Sequence, residues 1–154
     1  MHVALVIFWL IGTCVSVRGA CTCLPPRDPR TPAEAQSYVE GAAAVFEGTV
    51  VRAALPTRAE LSDKARAGLL VVTLRVDRQW RGEMADSIVV TTPLHATMCG
   101  VDFEEGRSYF VIADAVGGRP EPAWLTTPWL TARSCGATRP TRAARGIERL
   151  LDTR

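Results

Sequence analysis

Leu69-Leu70-Val71-Val72-Thr73-Leu74-Arg75-Val76-Asp77-Arg78-Gln79-Trp80 is the stretch on which the fold turns. Leu70, Val72, Leu74 and Val76 recur at every second position, with Thr73, Arg75 and Asp77 between them. Successive side chains of a β-strand point to opposite faces, so a period of two predicts a strand buried on one side. Downstream, Arg81-Gly82-Glu83 turns the chain and Ser87–Thr92 follows as another strand. Upstream, Ala44–Val51 contains Val45-Phe46-Glu47-Gly48-Thr49-Val50-Val51, rich in β-branched and aromatic residues. Tyr109–Ala113 follows the turn Glu105-Gly106-Arg107, and Trp124–Thr131 offers a further strand broken by Pro128. Between these runs, Ala53–Gly68 is polar and charged, carries Pro56, and reads as a long hairpin loop or a short helix around Glu60–Ala67. Gly117-Gly118-Arg119-Pro120 reads as a turn or loop.

Two helices flank the strands. Thr31-Pro32-Ala33-Glu34 offers an N-cap, a proline suited to the first helical position and a capping-box glutamate. The helix is expected to run to about Glu40 and to end at Gly41. At the other end, Pro140 starts a helix from Thr141 to Leu151 with Ala143, Ile147, Leu150 and Leu151 on one face. Five or six short strands with short N-terminal and C-terminal helices predict a mainly β domain. The expected form is a small five-stranded barrel of the oligonucleotide/oligosaccharide-binding (OB) type, with a sandwich as the alternative.

The 154 residues suit one domain, preceded by a targeting segment at residues 1–20. Val3-Ala4-Leu5-Val6-Ile7-Phe8-Trp9-Leu10-Ile11 is an apolar run that gives way to small residues up to Gly19-Ala20, the pattern of a secretory signal. It is shorter than the roughly 20 apolar residues that span a bilayer, and no second run approaches that length. Residues 21–154 then form the mature domain, secreted or periplasmic. Removing Arg18 with the signal leaves 17 of the 18 Lys+Arg against 16 Asp+Glu, a net charge of +1. That balance argues against a nucleic-acid footprint or a polybasic membrane patch.

Cys14 leaves with the signal, so four cysteines remain: Cys21, Cys23, Cys99 and Cys135. An even number in an exported chain implies two bridges, with three possible connectivities. Cys21–Cys23 is the least favourable, because it would close a very small strained ring. A four-cysteine zinc site is the rival; such sites draw on paired cysteines two to four residues apart, and only one close pair exists here.

Enzymatic chemistry finds little support. His95 is the one histidine of the mature chain, with no second ligand at metal spacing and no His-Glu-x-x-His. No serine sits in Gly-x-Ser-x-Gly, Gly117-Gly118 lacks a following Lys-Ser/Thr, and Glu104-Glu105 reads as a solvated turn. Trp80, Trp124 and Trp129 could line a ligand groove but read better as barrel filling or end caps. The expectation is a monomeric non-enzyme with no catalytic residues, no cofactor and no metal of its own.

Cys21-Thr22-Cys23-Leu24-Pro25-Pro26 would head the mature chain if the signal is cut before Cys21. This motif resembles the mature N-terminus of the tissue inhibitors of metalloproteinases, within the wider netrin-like group. Phe46-Glu47-Gly48-Thr49-Val50 resembles their first strand, and Thr97-Met98-Cys99-Gly100-Val101 the segment holding the partner of their first cysteine. Tyr109-Phe110-Val111-Ile112-Ala113 and Leu130-Thr131-Ala132-Arg133-Ser134-Cys135 resemble the next strand and the segment holding the partner of the second cysteine. The resemblance covers nearly all of residues 21–140, and the N-terminal motif is its specific part. It implies bridges Cys21–Cys99 and Cys23–Cys135, and a five-stranded barrel. It further implies a partner, a zinc metalloprotease, whose zinc is chelated by the Cys21 amine and carbonyl. Thr22 would point into the specificity pocket, with Leu24 and Pro25 continuing along the cleft.

The chain departs from that family in lacking its third N-terminal cysteine and its disulfide-rich second domain. Two other termini are compatible with the sequence: cleavage after Gly19, leaving Ala20 ahead of Cys21, and lipidation of Cys21. Either would remove the chelating amine and favour a non-inhibitory extracellular module that binds another protein.

Overall fold

Six strands and two helices form among the residues that the computed structural model describes, 26–55, 68–94, 99–116 and 130–153. In chain order they are α1 (Pro32–Tyr38), β1 (Ala44–Ala54), β2 (Leu69–Arg81), β3 (Ser87–Pro93), β4 (Ser108–Ala115), β5 (Leu130–Ala132), β6 (Arg139–Pro140) and α2 (Thr141–Asp152). β1 pairs antiparallel with β2 along one edge and with β4 along the other. β2 pairs antiparallel with β3, β3 parallel with β5, and β5 antiparallel with β4. The ring β1-β2-β3-β5-β4 therefore closes, and β6 adds to β4 as an extra strand. This is a five-stranded OB-type barrel. Closure rules out the sandwich, because a strand paired on both edges to members of one ring leaves no second sheet.

Strand alternation divides the apolar residues into two layers. Ala44, Phe46, Val50, Val72, Leu74, Val90, Tyr109, Val111 and Ala113 fill the barrel, with Leu70 and Val76 at its edge as the period of two requires. Their neighbours Val45, Phe110 and Ile112 point outward, where Ala35 and Val39 from the α1 side and Ala144, Ile147 and Leu151 of α2 cover them. Each large side chain so buried is worth about 1.5–3 kcal/mol.

The helices are built as their ends suggest, with two differences. Thr31 Oγ1 accepts from the Glu34 amide at 3.2 Å, and Pro32 occupies the first turn. Glu34 reaches back to the Arg30 amide at 2.6 Å, one residue ahead of the cap. α1 ends at Tyr38, two residues before Glu40, with Gly41 at φ 74° completing the reversal. α2 buries Ala144 rather than Ala143, which is exposed, so its inner stripe is Ala144, Ile147 and Leu151 with Leu150 at the side. The Trp80 indole donates to Asp152 at 2.9 Å, Arg78 pairs with the same carboxylate at 2.6 Å, and the Trp80 ring meets Phe110 edge-on at 5.5 Å. Trp80 thus fastens α2 to the barrel instead of lining a groove.

The strand bounds also move. β1 runs to Ala54, because Arg52, Ala53 and Ala54 pair with Thr73, Val72 and Val71 where a loop was expected from Ala53. Of the proposed Trp124–Thr131 strand, β5 begins only at Leu130, and Trp124, Pro128 and Trp129 lie outside the described residues. So do residues 1–25, the proposed helix at Glu60–Ala67, the Gly117–Pro120 turn and His95. Among the described residues no helix is long and apolar enough to cross a membrane, and no group of ligating side chains could hold a metal.

Closing a ring this small bends β1 sharply. Its register against β2 slips at Val45/Phe46, Glu47/Gly48 and Val50/Arg52. At Gly48 the strands approach so closely that a Cβ would stand 2.7 Å from the Arg75 carbonyl oxygen. Gly48→Ala is expected to cost about 2 kcal/mol, the scale of an overpacked core site, read as a lower urea midpoint at unchanged m-value.

Glu148 on α2 is half-buried and its Oε1 has no partner among the described residues. Burial first, then the Glu47 carboxylate, push its carboxyl above the ordinary range, with Arg78 and Arg145 opposing. A raised folded-state pKa makes the ionised form a cost that is fully present at neutral pH. That cost fades as the pH falls through the folded value toward the unfolded one near about 4.3. Glu148→Gln should therefore raise the melting temperature at pH 7, and the gain should vanish by about pH 4.

Candidate functional site

Two connections meet at one rim of the barrel, and each carries a cysteine. The first runs from Cys99 into β4. The Val101 amide donates to Thr92 Oγ1 at 2.7 Å, and Phe103 enters the barrel core against Tyr109 with ring centres 4.8 Å apart. The Tyr109 hydroxyl donates to the Asp102 carbonyl and accepts from the Glu104 amide, both at 3.0 Å. The Glu104-Glu105 turn is pinned too: Glu104 pairs with Arg107, and Glu105 accepts from the Ala53 amide at 2.9 Å. This pair is more than a solvated turn, since Glu105 holds the Ala53 amide near the end of β1.

The second connection follows β5. The Arg133 amide donates to the Ile112 carbonyl at 2.7 Å, and the Thr138 amide closes back on the Arg133 carbonyl at 3.1 Å. Between them the buried Thr138 hydroxyl substitutes for a strand residue. It accepts from the Ile112 amide and donates to the Ile112 carbonyl, both at 3.2 Å. Arg133 grips Asp114 with Nε and Nη2 at 2.7–2.9 Å and reaches the Glu40 carbonyl, two residues past α1. The Asp114 hydrogen bonds hold the Arg133 guanidinium above even its ordinary pKa, against the opposing effect of burial.

Cys99 and Cys135 are the only described non-glycine residues with left-handed backbone, at φ 62° and 61°. Such a conformation costs of order 1–3 kcal/mol and persists only where the surroundings impose it. The two connections supply that frame. Neither cysteine is a free thiol, since both are disulfide-bonded. They lie 4.4 Å apart and are not bonded to each other. A groove of about 350 Å³ runs beside Cys135, its lining including Gly100, Val101, Asp102, Tyr109, Thr138 and Arg139.

Of the residues that the sequence nominates, Cys99 and Cys135 are brought together. Cys21, Thr22, Cys23, Leu24 and Pro25 lie outside the described residues. The description begins at Pro26, and Asp28 is already tied to the barrel by Arg139 at 2.7 Å. Sequence reasoning passed over Arg133, Thr138 and Arg139, because a lone arginine or threonine announces no partner; only their nearness to Cys135 hinted at a role. No protein-family model matches the chain, and no curated protein matches it in sequence.

Thr138→Val keeps the volume but leaves the buried Ile112 amide without its acceptor, while the Ile112 carbonyl keeps the Arg133 amide. The expected cost is about 2 kcal/mol by urea unfolding, with Thr138→Ser close to wild type. In hydrogen exchange the Ile112 amide should lose protection in the valine variant and keep it in the serine variant.

Proposed function

We propose that the chain is a secreted inhibitor of zinc metalloproteases, using the amine and carbonyl of an N-terminal Cys21 as its zinc-binding group. One observation carries the reading. Cys99 and Cys135, far apart in sequence, stand side by side on one rim, both disulfide-bonded and not to each other. Once residues 1–20 are removed, Cys21 and Cys23 are the partners left for them, and the resemblance to the metalloproteinase inhibitors implies the pairing Cys21–Cys99 and Cys23–Cys135. Two bridges within three residues would staple the new N-terminus to the strained frame just described.

The chemistry follows from that placement. The Cys21 amine nitrogen and carbonyl oxygen close a five-membered ring on the metal. A catalytic zinc keeps three protein ligands and an open position holding water. The chelating pair displaces that water and with it the nucleophile of peptide hydrolysis. The amine donates only when unprotonated, and a free α-amino pKa of about 7.7–8 makes that inexpensive near neutrality. Thr22 enters the pocket beside the zinc, and Leu24 with Pro25 extends the wedge along the cleft. Pro25-Pro26 fixes two φ angles and keeps Leu24 extended. A wedge stapled in this way has little ordering entropy left to lose on binding.

The experiment joins two measurements on the exported protein. Intact mass and N-terminal sequencing should give Cys21 as the first residue, with four cysteines in two disulfides. The same material should inhibit zinc metalloproteases with one-to-one stoichiometry, and a form with one added alanine before Cys21 should not. A start at Ala20, a lipid on Cys21, or equal behaviour of the two forms would overturn the inhibitory reading. The protein would then be a non-inhibitory binding module.

A further inference from the structure

We propose that Arg139, through Asp28 and Tyr38, is a positioning latch that sets the direction in which the chain leaves the barrel toward Cys21, and so governs how long an inhibited complex lasts. The inference rests on the inhibitory reading and adds a residue to it that lies outside the N-terminal motif.

Arg139 in β6 is opposite Phe110 of β4, and its side chain is only 15% exposed. Nη1 donates to the Asp28 carboxylate at 2.7 Å, and Nη2 donates to the Tyr38 hydroxyl at 2.8 Å. Nε is buried and has no partner among the described residues. A guanidinium is a planar, permanently charged fork, so these two bonds fix Asp28 relative to α1 and β6 in orientation as well as distance. Burial raises the Tyr38 pKa while Arg139 opposes the rise, so the hydroxyl stays neutral and free to accept.

The position along the chain gives the latch its purpose. Arg139 is four residues past Cys135, and Asp28 is five residues past Cys23. If Cys23 is bridged to Cys135, one short stretch of barrel holds both ends of segment 23–28. A segment tethered only by its disulfides could still swing about them. Fixing Asp28 as well removes that freedom, and Pro25, Pro26 and Pro29 stiffen what lies between and just beyond. An isolated ion pair with a 60% exposed aspartate has little effect on global stability. Its effect belongs to the wedge, where misplacement by about 1 Å can cost on the order of 100-fold.

The test uses the full mature chain and the variants Asp28→Asn, Tyr38→Phe and Arg139→Gln. One readout is the set of ¹⁵N order parameters of Arg27, Asp28 and Arg30 in the free protein. The other is the dissociation rate from a zinc metalloprotease that the wild type inhibits. Order parameters should drop from about 0.85 to below about 0.6 in Asp28→Asn and Arg139→Gln, with the melting temperature of Asp28→Asn close to wild type. Dissociation should quicken about 10- to 100-fold with association nearly unchanged, and Tyr38→Phe should fall between. Unchanged order in Asp28→Asn overturns the latch, and Asp28→Asn decides the matter even if Arg139→Gln folds poorly. Looser order without faster dissociation overturns its role in inhibition. A wild type that inhibits no zinc protease removes the inhibitory reading and that role together, while the order parameters still report whether the latch exists.

Discussion

β1 is hydrogen-bonded along both edges, to β2 and to β4, and the rest of the molecule is arranged around that double pairing. A strand with two partners in one five-membered ring must coil, and β1 does so through three register slips and a close approach to the Arg75 carbonyl at Gly48. Closure then decides where apolar side chains go. Alternate residues of β1 and β4 fill the interior, and those between them need an outer cover, which the two helices and the residues flanking them provide. Because Phe46, Tyr109 and Phe103 pack the interior, the barrel is a support, and its chemistry has to be presented on a rim or an outer face.

The rim that carries Cys99 and Cys135 is tied down by side-chain hydrogen bonds. Thr92, Tyr109, Thr138 and Arg133 each spend side-chain hydrogen bonds on its backbone or on the strands beneath it. Two arginines bracket Cys135, and both reach residues near α1: Arg133 the Glu40 carbonyl, Arg139 Asp28 and Tyr38. Asp28, Tyr38 and Glu40 are therefore tied to the two arginines that flank Cys135.

How much of this the sequence revealed depends on whether a feature repeats. The period of two in Leu70–Val76 placed β2 and its buried face, and the Thr31-Pro32-Glu34 signals placed the start of α1. Features with neither periodicity nor a local capping or turn signal were missed. β6 is two residues long and half proline, too short for any pattern, yet it carries Arg139. Ala143 and Ala144 differ by one helical position and are identical as side chains, so only packing decides which faces inward. The site was half legible. Two cysteines followed by glycine marked where disulfides could attach, but the threonine, tyrosine and arginines that fix those points act across 5 to 111 residues of separation.

The backbone at the two cysteines says the most about what the rim is for. In each case the left-handed position falls on the cysteine, although a glycine, Gly100 or Gly136, follows directly and would accept that conformation without strain. A chain selected only to turn would place glycine there. Placing cysteine there instead fixes the Cα–Cβ direction of each sulfur at a small conformational cost, twice, on two connections that share no local sequence context beyond Cys-Gly. Two sulfurs carried on backbone framed by these hydrogen bonds define a directional mount for whatever is bridged to them. A flexible tether would need neither the strained backbone nor the polar frame that maintains it. Under the proposed inhibitory reading, the same rigidity would leave an N-terminus bridged to this rim little freedom to lose on entering a cleft.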